Sequence, residues 1–206
     1  MNIVFDFAGV VFEWQPPQLL RQTLPRHAVD DASAQALVTA LFQGFRQGSD
    51  WAAFDLGQID ADTLAARIAL RTGLAEAEVL AVVDAIPLHL APVAGTVALI
   101  RRLKRAGHRL FYLSNMPAPY ADHLDRSHDF IALFETGVYS ARVNLMKPQP
   151  EIFELAAQRF GIAPVELLLI DDVERNVAAA RSLGWQGMHF QGATACEAAL
   201  PRGTLA

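Results

Sequence analysis

Three short apolar runs that each finish on polar groups constrain this chain more than any other feature. Asn2-Ile3-Val4-Phe5 leads into Asp6, Arg109-Leu110-Phe111-Tyr112-Leu113 into Ser114-Asn115, and Glu166-Leu167-Leu168-Leu169-Ile170 into Asp171-Asp172. Runs this short and this continuously apolar fit strands buried on both faces. Val93 to Ala106 reads as an amphipathic helix closed by Gly107, Pro148 to Phe160 as a helix followed by Gly161, and Asn176 to Leu183 as a helix closed by Gly184. Weaker strands are expected at Thr136 to Ser140 and Gln186 to Phe190. Strands alternating with helices predict βαβ units and a parallel sheet covered on both sides.

Between the first strand and the others the rhythm changes. Pro16-Pro17 breaks regular structure, and from about residue 18 to 88 the apolar spacing is helical, with no β pattern. Helices are expected over Ala34 to Phe42, over Asp62 to Leu70 with Asp60 or Asp62 as N-cap and Gly73 as stop, and from Glu76 to Ala85. Pro87 and Pro92 mark the return to the α/β pattern. The expected organisation is an α/β core over 1–15 and 89–206, with a small all-helical insert over 16–88.

With 206 residues, 52% of them hydrophobic, the chain can build one packed core and a modest insert. Its net charge of −5 argues against a nucleic-acid partner or an anionic membrane surface. The basic cluster Arg101-Arg102-Lys104-Arg105 falls at the end of a helical pattern, where cations complement the helix dipole. The single cysteine, Cys196, reads as a structural thiol and fits a reducing compartment. No basic segment precedes the first apolar run, so a soluble, cytoplasmic protein, monomer or homodimer, is expected.

In an open parallel sheet the carboxyl ends of the strands gather on one edge, where ligands bind. That placement brings Asp6, Ser114, Asp171 and Asp172 together. One strand-end aspartate is more often a turn residue than a catalyst; three polar strand ends on one edge are harder to dismiss. Clustered carboxylates repel unless a cation joins them, and carboxylate oxygens with room for water suit Mg²⁺. Lys147, directly before a helix start, offers an ammonium, although standing alone it would read as a surface lysine.

Taken together, Asp6 with Gly9, Ser114-Asn115, Lys147-Pro148, and Asp171-Asp172 with Asn176 resemble the four motifs of the haloacid dehalogenase superfamily. The resemblance spans nearly the whole chain. It implies a Rossmann-like three-layer core with sheet order 5-4-1-2-3 and a helical cap inserted after the first strand. The sequences Asp-Phe-Ala-Gly-Val, Leu-Ser-Asn-Met and Ile-Asp-Asp-Val-Glu-Arg-Asn look closest to small sugar-phosphate phosphatases, such as glucose-1-phosphate phosphatases.

The resemblance also implies roles. Asp6 would be the nucleophile that becomes an aspartyl-phosphate. Ser114 and the Asn115 backbone would bind phosphoryl oxygens, and Lys147 would neutralise charge. Mg²⁺ would be held by Asp6, Asp172 and the backbone carbonyl of Ala8, with Asp171 acting through water; Asn176 would order the loop. The expected substrate is a small phosphorylated metabolite.

Two positions depart from the family pattern. Asn144 stands where glycine is usual, and asparagine tolerates a left-handed turn well. Ala8 stands where most phosphatases of the superfamily carry a second aspartate that protonates the leaving group; losing such a group costs about 10²–10⁴-fold in rate. Three outcomes follow: substrates with good leaving groups, a substitute acid among Glu13, Asp50 and Asp55 (each expected as a solvated surface carboxylate), or a catalytically weak phospholigand binder. A metal-independent 2-haloacid dehalogenase is a further alternative, with Arg21 to grip a carboxylate. The six histidines are read as structural or surface residues, and Trp14, Trp51 and Trp185 as packing, Trp51 lying where specificity would reside.

Overall fold

The computed structural model describes residues 1–201 and 203–205. The chain runs β1 (Asn2–Phe5), α1 (Pro16–Thr23), α2 (Asp31–Phe42), α3 (Asp50–Asp55), α4 (Ala61–Thr72), α5 (Glu76–His89), α6 (Ala94–Arg105) and β2 (Arg109–Ser114). It continues through α7 (Ala118–Ser127), β3 (Thr136–Tyr139), α8 (Pro150–Phe160), β4 (Leu167–Asp171), α9 (Glu174–Ser182), β5 (Gln186–His189) and α10 (Ala193–Ala199). The strands form one five-stranded sheet in the order β3-β2-β1-β4-β5, with every pairing parallel. This is the expected order read from the opposite edge. β1 is the central strand: Phe5 pairs with Tyr112 on one side and Ile170 on the other. Asp6, just past β1, therefore lies level with Asp171 at the end of β4, and Ser114 ends β2 one residue further along.

One face of the sheet packs on α8 and α9 through Val4, Phe111, Leu113, Leu167 and Leu169, with Phe111 stacked on Phe160 at 4.5 Å. The other face, carrying Ile3, Phe5, Leu110 and Ile170, joins a second apolar cluster that runs without interruption into α1–α5. Removing that much apolar surface from water is the main force holding the helical segment to the sheet.

Local signals set most of the helix ends. Asp30 caps α2 by accepting from the Ser33 N–H at 2.8 Å, and Asp60 caps α4 by accepting from the Thr63 N–H at 2.8 Å. Gly73 closes α4 in the left-handed conformation. α8 starts two residues later than expected, with Pro150 in its first turn, where a missing N–H costs nothing. The basic cluster lies in α6, with Arg102, Lys104 and Arg105 in its last turn.

Pro87 behaves differently from the expectation. It lies inside α5, which continues to His89. A proline there removes the N–H that would bond the Val83 carbonyl. The Tyr120 hydroxyl of α7 donates to that carbonyl at 2.8 Å and fills the gap. A defect in the helix thus becomes a link between the helical segment and the sheet-bearing part. Among the described residues, no helix is long and apolar enough to cross a membrane.

Candidate active site

The turn after β1 builds the first wall of the site. The N–H of Asp6 donates to the Ile170 carbonyl at 2.9 Å, which carries the sheet one residue beyond β1. The chain then folds back, with Phe12 donating to Phe7 and Gly9 donating to Phe12, both at 2.8 Å. Neither bond uses the Ala8 carbonyl. Gly9 has φ +84°, and a Cβ there would lie 2.3 Å from Asp172 Oδ2. Only glycine permits both the left-handed turn and this approach of Asp172.

The strand ends meet as expected. Lys147 Nζ lies 2.6 Å from Asp171 Oδ2 and 3.0 Å from Asp6 Oδ2, and the lysine side chain is fully enclosed. Asp6, Asp171 and Asp172 each offer an oxygen within 4.8 Å of the others. The two motif aspartates at the end of β4, Asp171 within it and Asp172 just beyond, have different surroundings. Asp171 accepts from Lys147, from the Val173 N–H at 2.8 Å, and from Asn176 Nδ2 at 3.0 and 3.2 Å, so its oxygens are fully engaged. Asp172 is part-exposed toward the cavity, and its carbonyl lies 2.9 Å from His189 Nε2. The ordering role expected of Asn176 is thus exerted on Asp171 itself.

Asn115 sets the position of Lys147. Its Nδ2 donates to the Lys147 carbonyl at 2.9 Å and its Oδ1 accepts from the Lys147 N–H at 2.8 Å. Ser114 is completely buried, and its hydroxyl has no partner among the described residues. A buried hydroxyl without a partner is costly, and a ligand oxygen would satisfy it.

Burial dominates the electrostatics. It pushes the Asp6 carboxyl up to about 7 against the pull of Lys147, with Asp171 and Asp172 adding to the rise. Burial and then Asp171 also raise Asp172. Burial alone would lower the Lys147 ammonium, but Asp171 and Asp6 more than offset this and hold it above its ordinary value. Three carboxylates thus share one lysine cation. The excess negative charge, the Ala8 carbonyl left out of the turn's bonding, and an all-oxygen donor set fit a hard divalent cation such as Mg²⁺.

Above this cluster lies a cavity of about 140 Å³. Asp6, Ala8, Asn115, Lys147, Asp172 and Asn176 form its floor, with Arg175 beside them. The rest is largely apolar: Trp14, Phe45 and Trp51, with Ile86, Leu90, Met116 and Tyr120. Trp51 packs edge-on against Phe42 at 4.6 Å as well as facing the cavity, so packing and lining are one role here. Trp14 combines the two in the same way, whereas Trp185 packs on Phe153. The aromatic wall was not legible in the sequence, because its residues come from four separate segments.

The three carboxylates considered as substitutes for the acid missing at Ala8 separate cleanly. Glu13 is exposed and takes a hydrogen bond from Gln15. Asp50 faces Arg71 and Arg67 outside the cavity. Asp55 departs from its expected place on the surface: it is only 5% exposed and lines the cavity. It is buried because α3 lays its last turn against the loop after β3. Arg21 pairs with Asp31 on the surface, away from the cavity, and Cys196 is buried in α10.

Comparison with known proteins agrees with this geometry. The family model of the haloacid dehalogenase-like hydrolases matches residues 1–184. A sesquiterpene phosphatase of Aspergillus oryzae is 28% identical over 188 residues, covering 91% of this chain and 88% of that protein. The phosphoglycolate phosphatase of Escherichia coli is 30% identical over 82 residues, covering 40% of this chain and 32% of its own length. Among solved structures, a haloacid dehalogenase family enzyme of Bacteroides thetaiotaomicron, in complex with magnesium and inorganic phosphate, superposes with a TM-score of 0.71. Its sequence identity is 19%, and the match covers 99% of this chain and 98% of that one. With the family match spanning most of its length, this chain belongs to the haloacid dehalogenase-like hydrolases.

Proposed function

We propose that this chain is a Mg²⁺-dependent phosphoric monoester hydrolase that works through an aspartyl-phosphate at Asp6. The observation that carries the reading is the buried Lys147 held between Asp6 and Asp171, with Asp172 alongside and the Ser114 hydroxyl left unpaired. Phosphoryl transfer needs positioning and charge neutralisation above all. Asp6 is positioned by the Phe7 N–H, which donates to Oδ1 at 2.6 Å, leaving Oδ2 and its lysine partner toward the substrate side. Ser114 and Lys147 bind phosphoryl oxygens. Asp6, Asp172 and the Ala8 carbonyl would hold Mg²⁺, with Asp171 behind them; bound there, the ion would neutralise phosphoryl charge.

The helical segment 16–88 serves as a cap that supplies Phe45, Trp51 and Ile86 to the apolar wall and sets substrate choice. That wall favours a phosphate ester whose alcohol is largely hydrocarbon over a sugar phosphate, because hydroxyl groups buried against Trp14, Phe45, Trp51 and Ile86 would go unpaired. The similarity to a sesquiterpene phosphatase, which extends over most of both chains, supports the same direction. The test is phosphate release from an aryl phosphate and from a prenyl or long-chain alkyl phosphate, with Mg²⁺ and with chelator. Turnover that requires Mg²⁺ and disappears in Asp6→Asn is expected; turnover retained in Asp6→Asn would overturn the assignment.

A further inference from the structure

Ala8 poses a chemical problem: its methyl group cannot protonate a leaving alkoxide. Among the described residues, the carboxyl groups lining the cavity are those of Asp6, Asp55 and Asp172. Asp6 and Asp172 already belong to the nucleophile and cation site. Asp55 remains, contributed to the cavity wall by the last turn of α3.

The backbone around Asp55 is held in place. The buried Ser140 hydroxyl donates to the Asp55 carbonyl, and Asn144 Nδ2 donates to the next carbonyl, Leu56, at 2.8 Å. Gly57 follows at φ +68°, so close to the loop after β3 that a Cβ would lie 2.9 Å from the Ala141 carbonyl oxygen. The whole stretch 55–57 is thereby clamped to the loop 140–144 on the sheet side. Asn144 itself has φ 55°. The asparagine that replaces the usual glycine keeps the left-handed turn and adds a side chain that grips Leu56. The Asp55 carboxyl, by contrast, has no hydrogen-bond or ion-pair partner among the described residues. An ionised carboxylate cannot stay buried without a partner, whereas a protonated one can.

We propose that Asp55 is the general acid of this site, supplying from the cap the proton that Ala8 cannot. The inference rests on the phosphatase reading above. As an Asp6 oxygen bonds to phosphorus, the P–O(alkyl) bond breaks with its electron pair on oxygen, and the Asp55 proton moves to that oxygen, releasing the alcohol. The Asp55 carboxylate then takes a proton from the water that attacks phosphorus. The bond between Asp6 and phosphorus breaks, inorganic phosphate leaves, and both aspartates return to their starting states. Burial, and then the nearby Asp6, raise the Asp55 carboxyl well above the usual carboxylate range, which favours the protonated form that the first step requires.

The test compares first-turnover rates on p-nitrophenyl phosphate, whose leaving group needs no proton, and on an aliphatic alkyl phosphate. In Asp55→Asn, alkyl phosphate cleavage is expected to fall by about 10²–10⁴-fold. On the nitrophenyl ester a burst of nitrophenolate should persist, followed by slow turnover because the general base is also missing. Equal losses on both esters in a folded variant, or no loss on either, would overturn the proposal. A second measurement needs no variant. In the unaltered protein, kcat/KM should fall only shallowly across a series of phosphate esters of rising leaving-group basicity; a steep fall also overturns it. Absence of Mg²⁺-dependent turnover of p-nitrophenyl phosphate by the unaltered protein would instead reject the phosphatase reading itself.

Discussion

Asp171 and Asp55 are both buried residues, and the protein surrounds them in opposite ways. Asp171 ends a central strand and meets a lysine ammonium, a backbone N–H and an asparagine amide. Asp55 ends a helix of the insert and faces aromatic walls with no such partner. The sheet edge gathers charge because parallel strands finish together, and the surrounding residues are chosen to hold ionised groups there. The helical side offers apolar surface and one carboxyl whose ionisation burial disfavours. A hydrolytic site needs both: a charged floor for the phosphoryl group and a proton on the side where the alcohol departs.

The comparison can be broken most forcefully at Lys147. Lys147→Ala leaves Asp6 and Asp171 buried without their cation, and removing one partner of a buried ion pair costs about 3–5 kcal/mol. Urea unfolding in chelator should show that loss, together with loss of phosphate release. A cost below 1 kcal/mol would mean that water or rearrangement replaces the ammonium and that the floor is less closed than its burial implies.

A pH titration sharpens the same contrast. The Asp6 carboxyl holds its proton up to about pH 7 in the folded chain but releases it near its ordinary 3.8 when unfolded. Between those values the folded state binds more protons, so stability falls as pH rises. Its contribution is fully present below 3.8 and lost through about 7. Asp172 and Asp55, also raised, act in the same sense. Thermal unfolding in chelator should therefore give a lower Tm at pH 8 than at pH 5, and Asp6→Asn should flatten part of that slope. An unchanged slope in the variant would place the titration elsewhere.

The smallest expected effect lies where the two sides join. Tyr120→Phe leaves the Val83 carbonyl without the donor that Pro87 cannot provide, an unmet buried acceptor worth about 1–3 kcal/mol. Urea unfolding measures it; a neutral substitution would show that the carbonyl finds water instead.

Much of the charged floor is legible in the sequence. Asp6, Ser114, Asp171 and Asp172 could be gathered on one edge because strand order and the right-handed crossover leave little choice of placement, whereas Lys147 joined them only through the family resemblance. Gly9 was visible as a motif glycine, although its second reason, the approach of Asp172, appears only in three dimensions. Helix caps at Asp60 and Gly73 followed from local chemistry alone. Pro87 misled because the penalty for a proline in a helix is met by a tyrosine 33 positions along the chain.

The sequence by itself determined the parallel sheet, the helical insert and the polar strand ends that meet at one edge, since each follows from short-range periodicity or from strand ends that a sheet must bring together. The tertiary structure alone decided what covers them. Apolar spacing shows which face of a helix is buried but not what it is buried against, so the aromatic wall stayed hidden. Asp55 lies 85 positions from Ser140 and 89 from Asn144, the two residues that clamp its segment. Whether a carboxylate is a solvated surface charge or an enclosed acid depends on such distant neighbours, through the water they exclude.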